Sequence, residues 1–84
     1  MGMVLIVEDQ RSIREGLVRA IASGGHEPIE AGTLAEARSL LAGRAVDCIL
    51  LDIRLHGEDG LAFLSELRSV LAPHVPVVMA TAYG

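Results

Sequence analysis

The residues with the most chemical potential in this 84-residue sequence are acidic, and they stand directly after apolar runs. Glu8-Asp9 follows Met3-Val4-Leu5-Ile6-Val7, Asp52 follows Cys48-Ile49-Leu50-Leu51, and Thr81 follows Pro76-Val77-Val78-Met79-Ala80. Were these runs neighbouring strands of one parallel sheet, their carboxyl ends would form the edge at which such sheets bind ligands. Three carboxylates and a hydroxyl would then converge. Like charges a few ångströms apart repel, so the cluster must take up a proton or recruit a cation. A hard divalent cation suits oxygen ligands, and Mg2+ combines one or two carboxylates with water and phosphate oxygens. That arrangement serves phosphoryl transfer, where catalysis is mostly positioning and charge neutralisation. An aspartate can itself be the nucleophile and become an aspartyl-phosphate. Asp52 fits that role, and Thr81 fits a hydrogen bond to a phosphoryl oxygen. The plainer alternatives are a helix N-cap for Asp9 and a strand-end turn residue for Asp52.

The elements needed to position these residues are visible in the hydrophobic pattern. Met3 to Val7 is too short for a helix and reads as a strand buried on both faces. Ile13, Leu17, Ala20 and Ile21 recur at helical spacing, and Gly24-Gly25 ends that helix. His26 to Ala31 is a weaker strand candidate. Thr33-Leu34-Ala35-Glu36 matches a capping box, followed by a helix with Leu34, Ala37, Leu40 and Leu41 on its face and Gly43 at its end. Cys48 to Leu51 is the third strand. Ile53 to Gly60, with Gly57 and Asp59-Gly60, reads as a loop. Leu61, Leu64, Leu67 and Leu71 mark a third helix stopped by Pro73, and Pro76 to Ala80 is a fourth strand with proline at its start. The order βαβαβαβ implies an α/β fold: a doubly wound parallel sheet with right-handed crossovers and helices on both faces.

Composition narrows the function classes. The chain is 51% hydrophobic and 21% charged, which argues against disorder. Its formal charge of −4, without a basic run, argues against direct nucleic-acid binding. All seven basic residues are arginine. The single cysteine, Cys48, lies in an apolar run and reads as a buried structural thiol. No apolar run approaches the roughly 20 residues of a membrane span, and no signal peptide is visible. A cytoplasmic location is expected. His26, His56 and His74 lack metal-ligand spacing.

Val4-Leu5-Ile6-Val7-Glu8-Asp9, Ile49-Leu50-Leu51-Asp52, Gly57-Glu58-Asp59-Gly60 and Met79-Ala80-Thr81-Ala82 together resemble the receiver domain of bacterial two-component response regulators. The run Thr81-Ala82-Tyr83-Gly84 is most similar to the nitrogen-regulation, sigma-54-activator type. The resemblance covers the whole chain and implies a flavodoxin-like receiver fold. It implies that Glu8 and Asp9 bind Mg2+, that Asp52 accepts phosphate from a sensor histidine kinase, and that Arg54 adds its backbone carbonyl to the metal. Thr81 would be the switch hydroxyl, and an output module, transcriptional in character, would act downstream. His56 departs from the family pattern, which commonly has proline at that place.

The family fold continues to a fifth strand, whose end carries a lysine, and to two further helices; this sequence contains no lysine. Residues 1–84 therefore read as a single, partial receiver domain, without the last strand and two helices. Impaired phosphorylation is expected of these residues alone, with self-association through an exposed fourth-strand edge or sheet face. Two other classes compete. One is a stand-alone Mg2+-dependent phosphohydrolase-like enzyme, disfavoured because Asp52-Ile53-Arg54 lacks the second acidic residue of an Asp-x-Asp metal motif. The other is an interaction module that is never phosphorylated.

Overall fold

The computed structural model describes residues 2–52 and 59–79. Four strands, β1 (Met3–Val7), β2 (Glu27–Ala31), β3 (Cys48–Leu51) and β4 (Val77–Met79), form one parallel sheet in the order β2-β1-β3-β4. Three helices connect them: α1 (Arg11–Ser23), α2 (Leu34–Gly43) and α3 (Gly60–Glu66), the last continued by a π-helical turn over Leu67–Leu71. The chain steps from β1 outward to β2, then back past β1 to β3 and β4. With right-handed crossovers this reversal puts α1 on one face of the sheet and α2 and α3 on the other.

The core lies on the two-helix face. Leu5, Val7, Ile49 and Leu51 of the sheet pack there with Ala31, Leu34, Ala37, Phe63 and Leu67. The alternate β1 residues, Val4 and Ile6, are also buried, as expected of a central parallel strand. The exposed surface of 4930 Å² agrees with the roughly 4,800 Å² that surface scaling gives for this length.

Helix ends follow local rules. Gly25 adopts φ +85°, His26 N–H donates to the Ile21 carbonyl at 3.1 Å, and Gly25 N–H donates to that of Ala22 at 3.0 Å. This is a Schellman stop, in which glycine meets no steric penalty for the left-handed conformation. Thr33 Oγ1 accepts from Glu36 N–H at 3.1 Å, as the capping box requires. The return bond shifts by one residue: Glu36 Oε1 accepts from Gly32 N–H at 2.7 Å.

Two helix faces differ from the periodic reading. On α1, Ile13, Leu17, Val18 and Ile21 are half-buried, Ala20 is exposed, and no residue is fully buried. On α3, Gly60 and Phe63 are buried, as is Leu67 just beyond it; Leu64 and Leu71 pack half-buried against the core as expected, whereas Leu61 is 61% exposed. Gly60 also opens the helix instead of closing the loop, because Asp59 Oδ1 accepts from Leu61 N–H at 3.0 Å and Ala62 N–H at 3.1 Å. The cap fixes the start, and the start sets which side faces the sheet. The extra residue of the π turn then rotates the later positions, leaving Val70 exposed and Leu71 half-buried. Arg38 joins α2 to α3, bonding Glu66 with both ends of its fork (3.0 and 2.8 Å) and lying 5.3 Å from the Phe63 ring centroid. The fourth strand is shorter than the apolar run, Val77–Met79, and Ala80 lies outside the described residues. Among the described residues, no helix is long and apolar enough to cross a membrane.

Candidate functional site

The sheet order reverses between β1 and β3, and a parallel α/β sheet binds ligands in the crevice above such a switch point. Val7 pairs with Leu51 across that junction, and Asp52 N–H donates to the Val7 carbonyl at 3.0 Å. Glu8 N–H donates to the Ala31 carbonyl of β2 at 3.0 Å. Glu8 and Asp52 are thus the first residues beyond adjacent strand ends, seated by ladder hydrogen bonds above an apolar core.

Glu8 is 2% exposed and Asp52 is 4% exposed, the two buried charged side chains among the described residues. Asp9 is half-buried beside them. One carboxylate oxygen from each of the three lies within 4.8 Å of the others. Burial pushes the Glu8 carboxyl up to about 7, against the Gln10 N–H, which donates to Glu8 Oε2 at 3.1 Å and favours the ionised form. Hydrogen bonding and charge from Asp52, and a hydrogen bond with Asp9, raise it further. The triad therefore retains a proton near neutrality, as mutually repelling carboxylates in a poorly hydrated site must. Asp9 is not the cap of α1. Gln10 holds the N-cap position, and its side chain makes no cap hydrogen bond.

The donor set fits a small hard cation. Two oxygens bound to one Mg2+ at roughly 2.1 Å lie no more than about 4.2 Å apart. A triad whose oxygens all lie within 4.8 Å of one another is close to that span, and it can supply one or two direct ligands with the rest of the shell filled by water. Arg54 and Thr81, the other expected site residues, lie outside the described residues, as do His56 and Tyr83. Cys48 is half-buried in β3. His26 lies at the opposite end of the sheet, where its Nδ1 accepts from Gly2 N–H at 3.2 Å.

Two participants escaped the sequence reading. One is the Gln10 main-chain N–H, which carries no side-chain signature. The other is Arg14, whose Nη1 donates to the Glu8 carbonyl at 2.8 Å and whose Nε donates to Glu30 Oε1 at 3.2 Å. A contact six residues on, crossing from strand end to helix, matches neither the strand nor the helix period.

Comparison with known proteins agrees with this architecture. The family model for the response regulator receiver domain matches residues 4–84. The chain is 38% identical over 81 residues to the response regulator protein FleR of Pseudomonas aeruginosa, covering 96% of this chain and 17% of FleR. It is 39% identical over 83 residues to the DNA-binding transcriptional regulator NtrC of Escherichia coli, covering 99% of this chain and 18% of NtrC. The chain thus spans less than a fifth of either relative. Among solved structures, the response regulator TrrA of Thermotoga maritima, in complex with Mg2+ and BeF, superposes with a TM-score of 0.90 at 30% identity, over all of this chain and 72% of that one. The likeness to NtrC agrees with the resemblance to the nitrogen-regulation type. A 2-1-3-4 parallel sheet with carboxylates at its switch point, matched over nearly its whole length, belongs to the response regulator receiver family.

Proposed function

We propose that this receiver domain is a phosphoacceptor that takes a phosphoryl group on Asp52 from a sensor histidine kinase. The observation that carries the reading is the carboxylate triad, with Asp52 only 4% exposed and held beside buried Glu8 and half-buried Asp9. Receiver domains are signalling domains that bind Mg2+ at an acidic cluster, and Glu8, Asp9 and Asp52 form such a group here. Glu8, Asp9 and Asp52 would hold the ion with the Arg54 main-chain carbonyl, and the ion would neutralise charge on the transferring phosphoryl group. Asp52 supplies the nucleophilic carboxylate oxygen. Its bond to phosphorus forms as the phosphorus–nitrogen bond of the donor histidine breaks, and the electron pair leaves with the imidazole. The Thr81 hydroxyl would then bond a phosphoryl oxygen and report the modified state to an output module. The Asp52 carboxylate must be ionised to attack, and Glu8 would serve as a ligand to the ion in its ionised form.

On this reading the domain works in the cytoplasm, within a longer transcriptional regulator like NtrC. The β4 edge adds a further partner, a second copy of these 84 residues, when they are produced alone.

The test uses the full-length protein with a small acyl-phosphate donor and Mg2+. Intact-mass analysis should show one added phosphoryl group, labile to hydroxylamine and mapping to Asp52. Asp52→Asn should abolish it, and chelation of Mg2+ should suppress it. A phosphoryl group that persists in the Asp52→Asn protein would overturn the reading. Turnover of a generic phosphomonoester would instead favour a phosphohydrolase.

A further inference from the structure

We propose that Arg14 is a positioning residue for the acidic site, holding the turn that carries Glu8 and Asp9 in the shape that binds a divalent cation. The inference rests on the reading of Glu8, Asp9 and Asp52 as a cation site and deepens it.

The turn between β1 and α1 has a mechanical problem. It must keep Asp9 next to two other carboxylates, although swinging Asp9 toward water would relieve their repulsion. Three bonds oppose that relaxation at Glu8. Its N–H donates to Ala31 of β2 at 3.0 Å, its Oε2 accepts the Gln10 N–H at 3.1 Å, and its carbonyl accepts Arg14 Nη1 at 2.8 Å. The first two are local to a strand ladder and a tight turn. The Arg14 bond is different, because it ties the turn to a second element. The same guanidinium bonds Glu30 of β2 through Nε at 3.2 Å. One rigid planar fork therefore spans the β1 turn, the first helical turns of α1, and β2.

The surroundings are shaped for this fork. The Arg14 side chain is 19% exposed, whereas those of the other ion-paired arginines among the described residues, Arg38 and Arg11, are 45% and 83% exposed. The β2–α2 turn passes so close that a Cβ on Gly32 would lie 3.1 Å from Arg14 Nη1, tighter than ordinary side-chain contact. Glycine there leaves room for the guanidinium. The Arg14 charge is paired with Glu30, so its effect on the site runs through the position of the Glu8 carbonyl and not through neutralising the triad. Lysine could not substitute, since one ammonium cannot hold both acceptors with a fixed spacing.

Mg2+ titration of the protein, followed by isothermal calorimetry and amide chemical shifts, tests this. Arg14→Ala should weaken Mg2+ binding by about tenfold, the low end for residues that orient metal ligands. Arg14→Lys should stay close to the Ala variant. Glu30→Gln, which keeps an acceptor for Arg14, should lose less. A merely structural role would lower the melting temperature and leave the dissociation constant of the folded protein unchanged; an Arg14→Ala protein that binds Mg2+ within about twofold of the parent overturns the proposal. A parent that binds no Mg2+ refutes the cation-site reading itself. In that case hydrogen exchange still decides the role of Arg14. Faster exchange of the Gln10 amide in Arg14→Ala, with interior α1 amides unchanged, supports the clamp, and an unchanged Gln10 amide overturns it.

Discussion

At the residue scale, a carboxyl that stays protonated to about pH 7 is a liability the fold tolerates for its site. Unfolded, Glu8 releases its proton near the ordinary value of 4.5, and in the native site it does so at about 7. Between those values the native state binds more protons than the unfolded state. Stability from this group therefore falls as pH rises through that window, and the penalty is complete above it. Two outcomes follow. Glu8→Gln, which removes the ionisation and keeps the shape, should raise the melting temperature at pH 8 without divalent cations and have little effect at pH 4. Mg2+ should raise the parent's melting temperature more at pH 8 than at pH 5, because ligation needs ionised oxygens. Equal Mg2+ shifts at both pH values would show that the ion does not engage this carboxyl. The sequence showed Glu8, Asp9 and Asp52 as strand-end acids because period and run length alone place them there. It did not show the Gln10 and Arg14 bonds. Those depend on how a turn folds back, which no spacing rule encodes.

At the element scale, the elements that were legible are those whose signals are local. The Thr33 capping box, the Gly24-Gly25 stop and the Cys48–Leu51 strand each depend on a few adjacent residues, and all three form. Gly25→Ala should destabilise by roughly 1 kcal/mol, since a Cβ is disfavoured at φ +85° although nothing lies within 4 Å of it. Thr33→Ala should cost about 1 kcal/mol through the lost cap. Denaturant midpoints at constant m-value check both. The face of α3 was legible in part: Leu67 is in the core and Leu64 and Leu71 pack against it, but Phe63 was missed and Leu61 misplaced, because four leucines at helical spacing outvoted one aromatic. The Asp59 cap selects the register that buries Phe63 at 1% exposure under Arg38 and turns Leu61 to solvent. Phe63→Ala should therefore cost about 3–5 kcal/mol, and Leu61→Ala well under 1. Comparable losses at the two positions would mean that Leu61 also faces the sheet, against this register.

At the scale of the whole molecule, the two edges of the sheet are built differently. The β2 edge carries Glu27, Pro28 and Glu30, and charge and proline are the usual means of keeping an edge from pairing with another chain. The β4 edge carries Val77, Val78 and Met79, with Val78 50% exposed and Met79 37% exposed. On the α1 face, Leu50 beside Val78 is only half-buried, so the apolar surface extends inward from the edge. α1 packs over β1 and β2, on the far side of the sheet from β4. An uncharged, proline-free strand with exposed valine and methionine is a template for strand pairing, and a second β4 offers matching chemistry. These 84 residues produced alone should thus form a dimer or larger species whose sedimentation coefficient rises with concentration. Val78→Lys places a charge at the most exposed position of that edge without touching the Glu8, Asp9 and Asp52 triad. It should return the protein to a monomer while leaving Mg2+ affinity unchanged. A parent that sediments as a monomer at all concentrations would show that β4 does not pair. Association that survives Val78→Lys would move the contact elsewhere, to the half-buried face of α1.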